Sequence, residues 1–267
     1  MCKVLEVTRS CYYSWLKVTK QEDTGLNNYI DEIFKASYQT YGTRRIKKSL
    51  EQKHSLIVSR RRIGRIMKEL NLSTRHRKRF KIQTTDSNHK FLVVRNLLKQ
   101  QFDIDKQDRV YVGDITYIPT KEGRLYLSVV IDLFSRKVVG WSMDDTMETT
   151  LVNNSILMAI KSRKPRKGII WHTDRGSQYA STSHRELLKK YGFIQSMSRH
   201  GNCYDNAVAE SFFHSLKTEL THHINFENKN QATQAIFHYI EVFYNRKRLH
   251  SSNNYLSPVD YENSYYA

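Results

Sequence analysis

The chain has 267 residues, enough for about two domains with a hydrophobic core. It carries 44 Lys+Arg against 26 Asp+Glu, a formal charge of +18, and the natural partner of such a surface is a polyanion. Three cysteines (Cys2, Cys11, Cys203) are an odd count at no zinc spacing, which excludes a disulfide scaffold and points to a reducing cytoplasm. No apolar run reaches the ~18 residues of a membrane helix, and no signal-peptide core opens the chain.

The charge is uneven. Residues 1–90 hold 21 Lys+Arg and 8 Asp+Glu, while the other 177 hold 23 and 18. Residues 1–22 read as a basic-aromatic helical segment with Tyr12, Tyr13, Trp15 and Leu16. Residues 23–72 read as three helices. Ile30, Ile33 and Phe34 stripe the first. Thr43 caps the second, with Ile46 and Leu50 four apart. Ser59 caps the third, with Ile63, Ile66, Met67 and Leu70 inward. Arg60, Arg61, Arg62 and Arg65 crowd its first turns, beside Arg44 and Arg45. A recognition helix of a helix-turn-helix meets DNA there, which this reading prefers to a basic solvated bundle. Residues 73–101 form a basic linker whose Arg77, Lys78 and Arg79 lie along a phosphate backbone.

From residue 102 the periodicity changes. Val110–Ile118 alternates like a strand, Leu125–Phe134 is a nearly continuous apolar strand, and Lys137–Met143 is a third, giving an antiparallel meander. A helix over Met147–Ser162, a strand over Gly168–Asp174, a helix from Gly176 to Tyr191 and a strand over Phe193–Met197 follow. The stretch Gly201–Lys217 is a loop running into a helix, with Asp205 or Asn206 as its cap. At about 100° per residue, Ala209, Phe212, Phe213, Leu216 and Leu220 share one side and Asn206, Glu210, His214 and Lys217 the other. This order predicts a ribonuclease-H-like α/β core over 102–222: a five-stranded mixed sheet with flanking helices, preceded by a small all-α domain. Residues 223–267 supply a long helix over 229–244 and a tail packed on the core.

Three acids stand where a charge requires a reason. Asp114 sits inside a strand, Asp174 ends an apolar strand at the edge where open α/β sheets place ligands, and Glu210 lies on the polar side of its helix. Separate carboxylates that converge can bind the hard cations that clamp a phosphoryl displacement. Asp132 is expected to pair with Arg136, Glu219 to point away from Glu210, and His172 either to pack or to orient water or phosphate.

The stretches Asp114-Ile115-Thr116-Tyr117-Ile118, Asp174-Arg175-Gly176-Ser177-Gln178-Tyr179 and Asp205-Asn206-Ala207…Glu210-Ser211-Phe212-Phe213…Leu216-Lys217 closely resemble the retroviral-integrase-type catalytic core. They are most similar to the second-frame product of bacterial insertion sequences of the IS-three family. Tyr244-Asn245, Arg248, His250 and Pro258 resemble its C-terminal pattern, and Tyr41–Ile46 with Arg65–Met67 its helix-turn-helix. Tyr111-Val112-Gly113, ahead of Asp114, departs from the family pattern, where members commonly carry a tryptophan.

The resemblance implies an Asp–Asp–Glu transposase that binds the terminal inverted repeats of its element, cleaves their 3′ ends and transfers the strands. It implies Asp114, Asp174 and Glu210 as catalytic and Mg²⁺-holding residues, with Mn²⁺ able to substitute and no structural zinc. Asn206, His214, Lys217 and Arg248 are assigned to DNA. The implied partners are double-stranded terminal and target DNA, further copies of the chain as a homo-oligomer on that DNA, and an upstream-frame protein as fusion or partner. The implied location is the bacterial cytoplasm at the nucleoid, with no membrane. The competing readings are a catalytically inactive DNA-binding repressor and a nuclease without strand transfer.

Overall fold

The computed structural model describes residues 2, 6–17, 24–75, 91–199 and 203–266. The chain divides into two compact units, Met1–Ser73 and Thr74–Ala267. None of the described helices is long and apolar enough to cross a membrane.

The first unit contains α1 (Arg9–Lys17), α2 (Thr24–Ala36), α3 (Thr43–His54) and α4 (Arg60–Glu69). The 3.6-residue spacing of Leu26, Ile30, Ile33 and Phe34, of Ile46 and Leu50, and of Ile63, Ile66 and Met67 buries one stripe of each of α2, α3 and α4. Ser59 caps α4 by accepting a bond from the Arg62 backbone N–H at 3.2 Å. Thr43 does not cap α3. Gly42 holds the cap position with no side-chain bond, and Thr43 is the first helical residue, its Oγ1 accepting from Arg60 Nε at 3.3 Å.

The second unit is built on β1 (Val110–Thr120), β2 (Gly123–Asp132), β3 (Val138–Asp144), β4 (Ile170–Thr173) and β5 (Ile194–Met197), ordered β3-β2-β1-β4-β5. The meander β1–β2–β3 is antiparallel, and β4 and β5 add parallel beside β1. Helix α5 (Thr149–Arg163) lies against β2 and β3. Gly140 is required for this approach, because a Cβ there would stand 2.2 Å from the Ser155 carbonyl oxygen. The core on this side gathers Tyr111, Ile115, Val130, Trp171 and Met197 from the sheet with Leu151, Val152 and Ile156 of α5. Tyr111 is wholly buried and its hydroxyl donates to Asp108.

The helix expected from Gly176 to Tyr191 is broken into α6 (Ser177–Ala180) and α7 (Thr182–Tyr191). Ser181 is extended between them and its Oγ caps α7 by accepting from the His184 N–H, a role serine takes readily at a helix start. Helix α8 (Ala207–Glu219) packs on β1 and buries Ala209, Phe212, Phe213 and Leu216 as the spacing predicts. Helix α9 (Lys229–Phe237) continues as a π-helical segment, His238–Tyr244. That shift keeps Tyr239, Ile240, Phe243 and Tyr244 all buried, with Phe212 and Tyr244 edge to face at 4.7 Å. Helix α10 (Pro258–Tyr266) is tied down by Glu262, which accepts from Ser135 Oγ, Lys137 Nζ and the Arg163 guanidinium at 2.8–3.0 Å.

Two sequence expectations are corrected here. The Asp132 carboxylate pairs with Arg163 at 3.2 Å and not with the Arg136 guanidinium, whose Nη2 donates to the Phe102 carbonyl; Arg136 meets Asp132 only through its backbone N–H, which donates to the Asp132 carbonyl at 2.9 Å. Residues 91–101, read as linker, lie on the core. Leu98 is buried, Val93 and Val94 pack on the apolar cluster, and the Leu97 N–H donates to Ser196 Oγ at 2.8 Å.

Candidate active site

The period-2 alternation of β1 sends Tyr111 and Ile115 into the α5-side core and Asp114 to the opposite face, where α8 packs. Its Oδ1 accepts from the Ile115 N–H at 2.8 Å. Parallel pairing of β4 with β1 runs from Val110↔Ile170 to Val112↔His172, which brings Asp174, just past the end of β4, alongside Asp114. The Asp174 Oδ1 accepts from the Gly176 N–H at 2.9 Å, closing the turn into α6. Both carboxylates line one pocket with Ile115, Met147, Gly176, Gln178 and Tyr179. Gly113 lets the two strands approach at the site's edge, since a Cβ on it would stand 2.2 Å from the Trp171 ring.

The electrostatics follow from that placement. Burial and then the negative charge of Asp174 hold the Asp114 carboxyl well above the ordinary range, with Glu210 adding to the repulsion and Lys217 opposing it. Glu210 is raised by burial and by Asp174. Lys217 is lowered by burial although Asp114 pulls the other way. The three acids therefore share one field with one ammonium beside it. They do not close into a finished cage: among the described residues no three His, Cys, Asp or Glu side chains assemble as a metal-ligand group. Glu210 lies on an exposed turn of α8, where the negative charge of Asp174 repels its own.

The remaining site expectations divide. Arg44, Arg60, Arg61, Arg62 and Arg65 are exposed, and Arg45 is half-buried with its guanidinium 5.4 Å from the Tyr41 ring centre. Arg77, Lys78 and Arg79 lie outside the described residues. His214 and Lys217 are half-buried on the α8 face that carries Glu210. Asn206 is buried and its Nδ2 donates to the Gly113 carbonyl at 3.3 Å, so it faces protein rather than DNA. Arg248 is corrected outright. It is 5% exposed and its guanidinium donates to Glu219 at 2.7–3.0 Å and to Ser215 Oγ at 3.1 Å. Glu219 also accepts from the Tyr239 hydroxyl, so both charges are consumed inside the fold, away from Glu210.

His172 packs, between Ser196 Oγ at 2.9 Å and Ser198 Oγ at 3.3 Å, and burial lowers its pKa to about 4. Asp205 does not cap α8. It is wholly buried and accepts from Asn96, Gln100 and Arg199. Sequence reasoning missed that role, and also missed Gln178, Tyr179 and Met147 in the pocket wall. Gln178 and Tyr179 stood in the stretch after Asp174 but had no charge to mark them, and Met147 is distant in sequence.

Comparison with known proteins bears on what this arrangement does. Family models match in three places: an HTH-like domain over residues 20–80 and integrase core domains over 105–203 and 210–265. Over 270 residues the chain is 38% identical to transposase InsF for insertion sequence IS3A of Escherichia coli K12, covering 98% of this chain and 93% of that protein. The chain belongs to the IS3 family of insertion-sequence transposases. It is also 40% identical over 270 residues to an insertion element IS600 31 kDa protein of Shigella sonnei (100% of this chain, 98% of the relative). It is 43% identical over 237 residues to the transposase for IS904 of Lactococcus lactis (89% and 93%). Among solved structures, a chain of the simian T-cell lymphotropic virus intasome aligns at a TM-score of 0.50 and 16% identity over 87% of this chain and 74% of that one, a likeness of fold. This IS3-family transposase thus combines an HTH-like domain with a ribonuclease-H-like integrase core.

Proposed function

We propose that this transposase binds the terminal inverted repeats of its element, cleaves their 3′ ends and joins them to a second phosphodiester, with Asp114, Asp174 and Glu210 as its catalytic carboxylates. The observation that carries the reading is that Asp114 of β1 and Asp174 at the end of β4 line one pocket, and that the negative charge of Asp174 raises the proton affinity of both Asp114 and Glu210 of α8. Lys217 offsets part of the negative charge felt at Asp114.

The donor set fits Mg²⁺: carboxylate oxygens only, on separate rigid elements, at the rim of a sheet. Asp114, Asp174 and Glu210 would hold it. When bound, such an ion supplies a Lewis acid for the attacked phosphate and lowers the pKa of the attacking water or hydroxyl. The protein's own contributions are positional. The Ile115 and Gly176 N–H groups orient the two aspartates, Tyr179 and Met147 wall the pocket, and Lys217 stands where a terminal phosphate approaches the acids. In the first unit, exposed Arg60, Arg61, Arg62 and Arg65 on α4 present a cationic face to the duplex.

The test is incubation of purified protein with Mg²⁺ and labelled element ends. Cleaved and joined products are expected. Cleavage without joining would favour a nuclease, and binding with neither would favour a repressor.

A further inference from the structure

The 3₁₀ turn Cys203–Asn206 ahead of α8 contains the most heavily bonded carboxylate among the described residues outside the catalytic trio. Asp205 takes five hydrogen bonds from three donor residues. Asn96 Nδ2 reaches Oδ2 and Gln100 Nε2 reaches Oδ1, both at 2.8 Å. Arg199 donates its backbone N–H at 2.8 Å, its Nε at 3.1 Å and its Nη2 at 3.0 Å. Two donors belong to the 91–101 segment that packs on the core, and the third leaves the end of β5. His172 on β4, two residues before Asp174, lies close enough to feel both the charge and the backbone carbonyl of Asp205. The next residue reaches the other acid-bearing strand: Asn206 donates to the carbonyl of Gly113, the residue before Asp114. Glu210 follows Asn206 by four positions, one helical turn on the same face of α8.

Two adjacent residues thus connect the start of α8 to β1, to the end of β5 and to the segment that lies over the sheet. We propose that Asp205 and Asn206 are positioning residues that fix the first turn of α8, and with it the Glu210 carboxylate, in register with Asp114 and Asp174. The proposal rests on the transposase reading above for its catalytic consequence but not for its structural one. In a helix capped in the ordinary way, the cap side chain accepts from N–H groups of the first turn and ties that turn only to itself. Here the Asn206 side chain makes no cap bond, and the bonds of Asp205 run outward to neighbouring elements. The arrangement fixes where the helix begins rather than whether it forms. Glu210 is the acid that needs this, because it lies on a surface turn while Asp114 and Asp174 are anchored by a sheet.

The experiment uses the full chain and the variants Asp205→Ala and Asn206→Ala. Amide hydrogen exchange in metal-free protein reads the helix. Residues 207–213 should exchange about tenfold faster in Asp205→Ala while β1 and β4 stay at wild-type rates. Mn²⁺ titration followed by electron paramagnetic resonance should show about 10–100-fold weaker binding, the usual cost of losing an outer support of a ligand. For end cleavage, kcat should fall about 100-fold with KM for the DNA within about threefold, the signature of a misplaced catalytic group rather than of weakened DNA binding. Asn206→Ala should shift all three in the same direction by less.

Wild-type exchange in residues 207–213 together with wild-type Mn²⁺ affinity would overturn the proposal. So would faster exchange spread evenly over the sheet, which marks plain destabilisation. Should Asp205→Ala fail to fold, Arg199→Ala removes two of the five bonds through a side chain that is 59% exposed. It should speed exchange of residues 207–213 about threefold, and no change there would overturn the proposal. A wild-type protein that neither cleaves nor joins DNA sinks the transposase mechanism and leaves the exchange result to judge this inference separately.

Discussion

Replacing Arg248 by methionine separates a structural ion pair from a DNA contact. In the native fold Arg248 makes three bonds to Glu219 between 2.7 and 3.0 Å and one to Ser215, and the two partners are 5% and 3% exposed. The substitution keeps most of the volume but leaves the Glu219 carboxylate buried with, among the described residues, the Tyr239 hydroxyl as its remaining side-chain donor. An uncompensated buried charge of this kind costs about 3–5 kcal/mol. For a unit the size of residues 74–267 that corresponds to a drop in Tm of roughly 6–20 °C. Urea unfolding followed by the fluorescence of Trp141 and Trp171 would measure it. The double variant Glu219→Gln/Arg248→Met should recover more than half of the loss, because it removes the stranded charge along with its partner. Affinity for element ends, corrected for the folded fraction, should stay within about twofold, since an exposed phosphate contact is what this arginine is not. A stability loss below about 1 kcal/mol, together with a salt-sensitive fall in DNA affinity, would refute the reasoning and return Arg248 to the DNA interface.

Asp174→Asn should abolish cleavage and joining while leaving end binding intact, read by gel shift beside a product assay; retained joining would remove Asp174 from the site. Arg61→Ala with Arg62→Ala should weaken end binding and reduce the slope of log affinity against log salt by about 2, one for each phosphate that is no longer neutralised. Unchanged affinity would deny α4 a recognition role. Lys217→Ala should weaken terminal-DNA engagement about tenfold with Mn²⁺ binding preserved, and wild-type engagement would leave Lys217 only as a partner of Asp114. Acid should destabilise the core through its histidines. Burial holds His172 and His184 near pKa 4, against about 6.5 in an unfolded chain, so the folded state binds the proton less tightly. Their contribution is complete above pH 6.5 and is lost as pH falls from there through 4, by about 2 kcal/mol per histidine at pH 5. His184 has no place for the extra proton, because its Nε2 accepts from Trp171 Nε1 at 2.9 Å and its Nδ1 faces Asn153 Oδ1 at 2.7 Å. Denaturation midpoints at pH 7 and pH 5, with His184→Gln reducing the difference, check this; equal midpoints would refute it.

Much of the architecture was legible from periodicity alone. Alternation over 110–118 and the apolar run over 125–134 mark strands because side chains on a strand face opposite sides, and the 3.6-residue stripes of α2, α3, α4 and α8 mark buried faces. These are local signals, so a single sequence carries them. The three acids were visible for a related reason: each breaks a local pattern, a charge inside a strand, at the end of one, or on a helix front. What neighbours a residue across the fold is not local, and there the reading went wrong. Arg248 and Glu219 are 29 positions apart, Asp132 and Arg163 31, and Asn96 and Asp205 109. Nothing in the composition around Arg248 distinguishes a buried pair from an exposed phosphate contact. Only the path of the π-helical segment after α9 brings Arg248 to Glu219. Asp205 likewise reads as a helix cap from its position. It is the segment 91–101, packed on the sheet far upstream in sequence, that supplies two of its donors and turns it outward. Local chemistry chose the elements and marked the acids, while the partners of each buried charge were chosen by the close packing of segments distant along the chain.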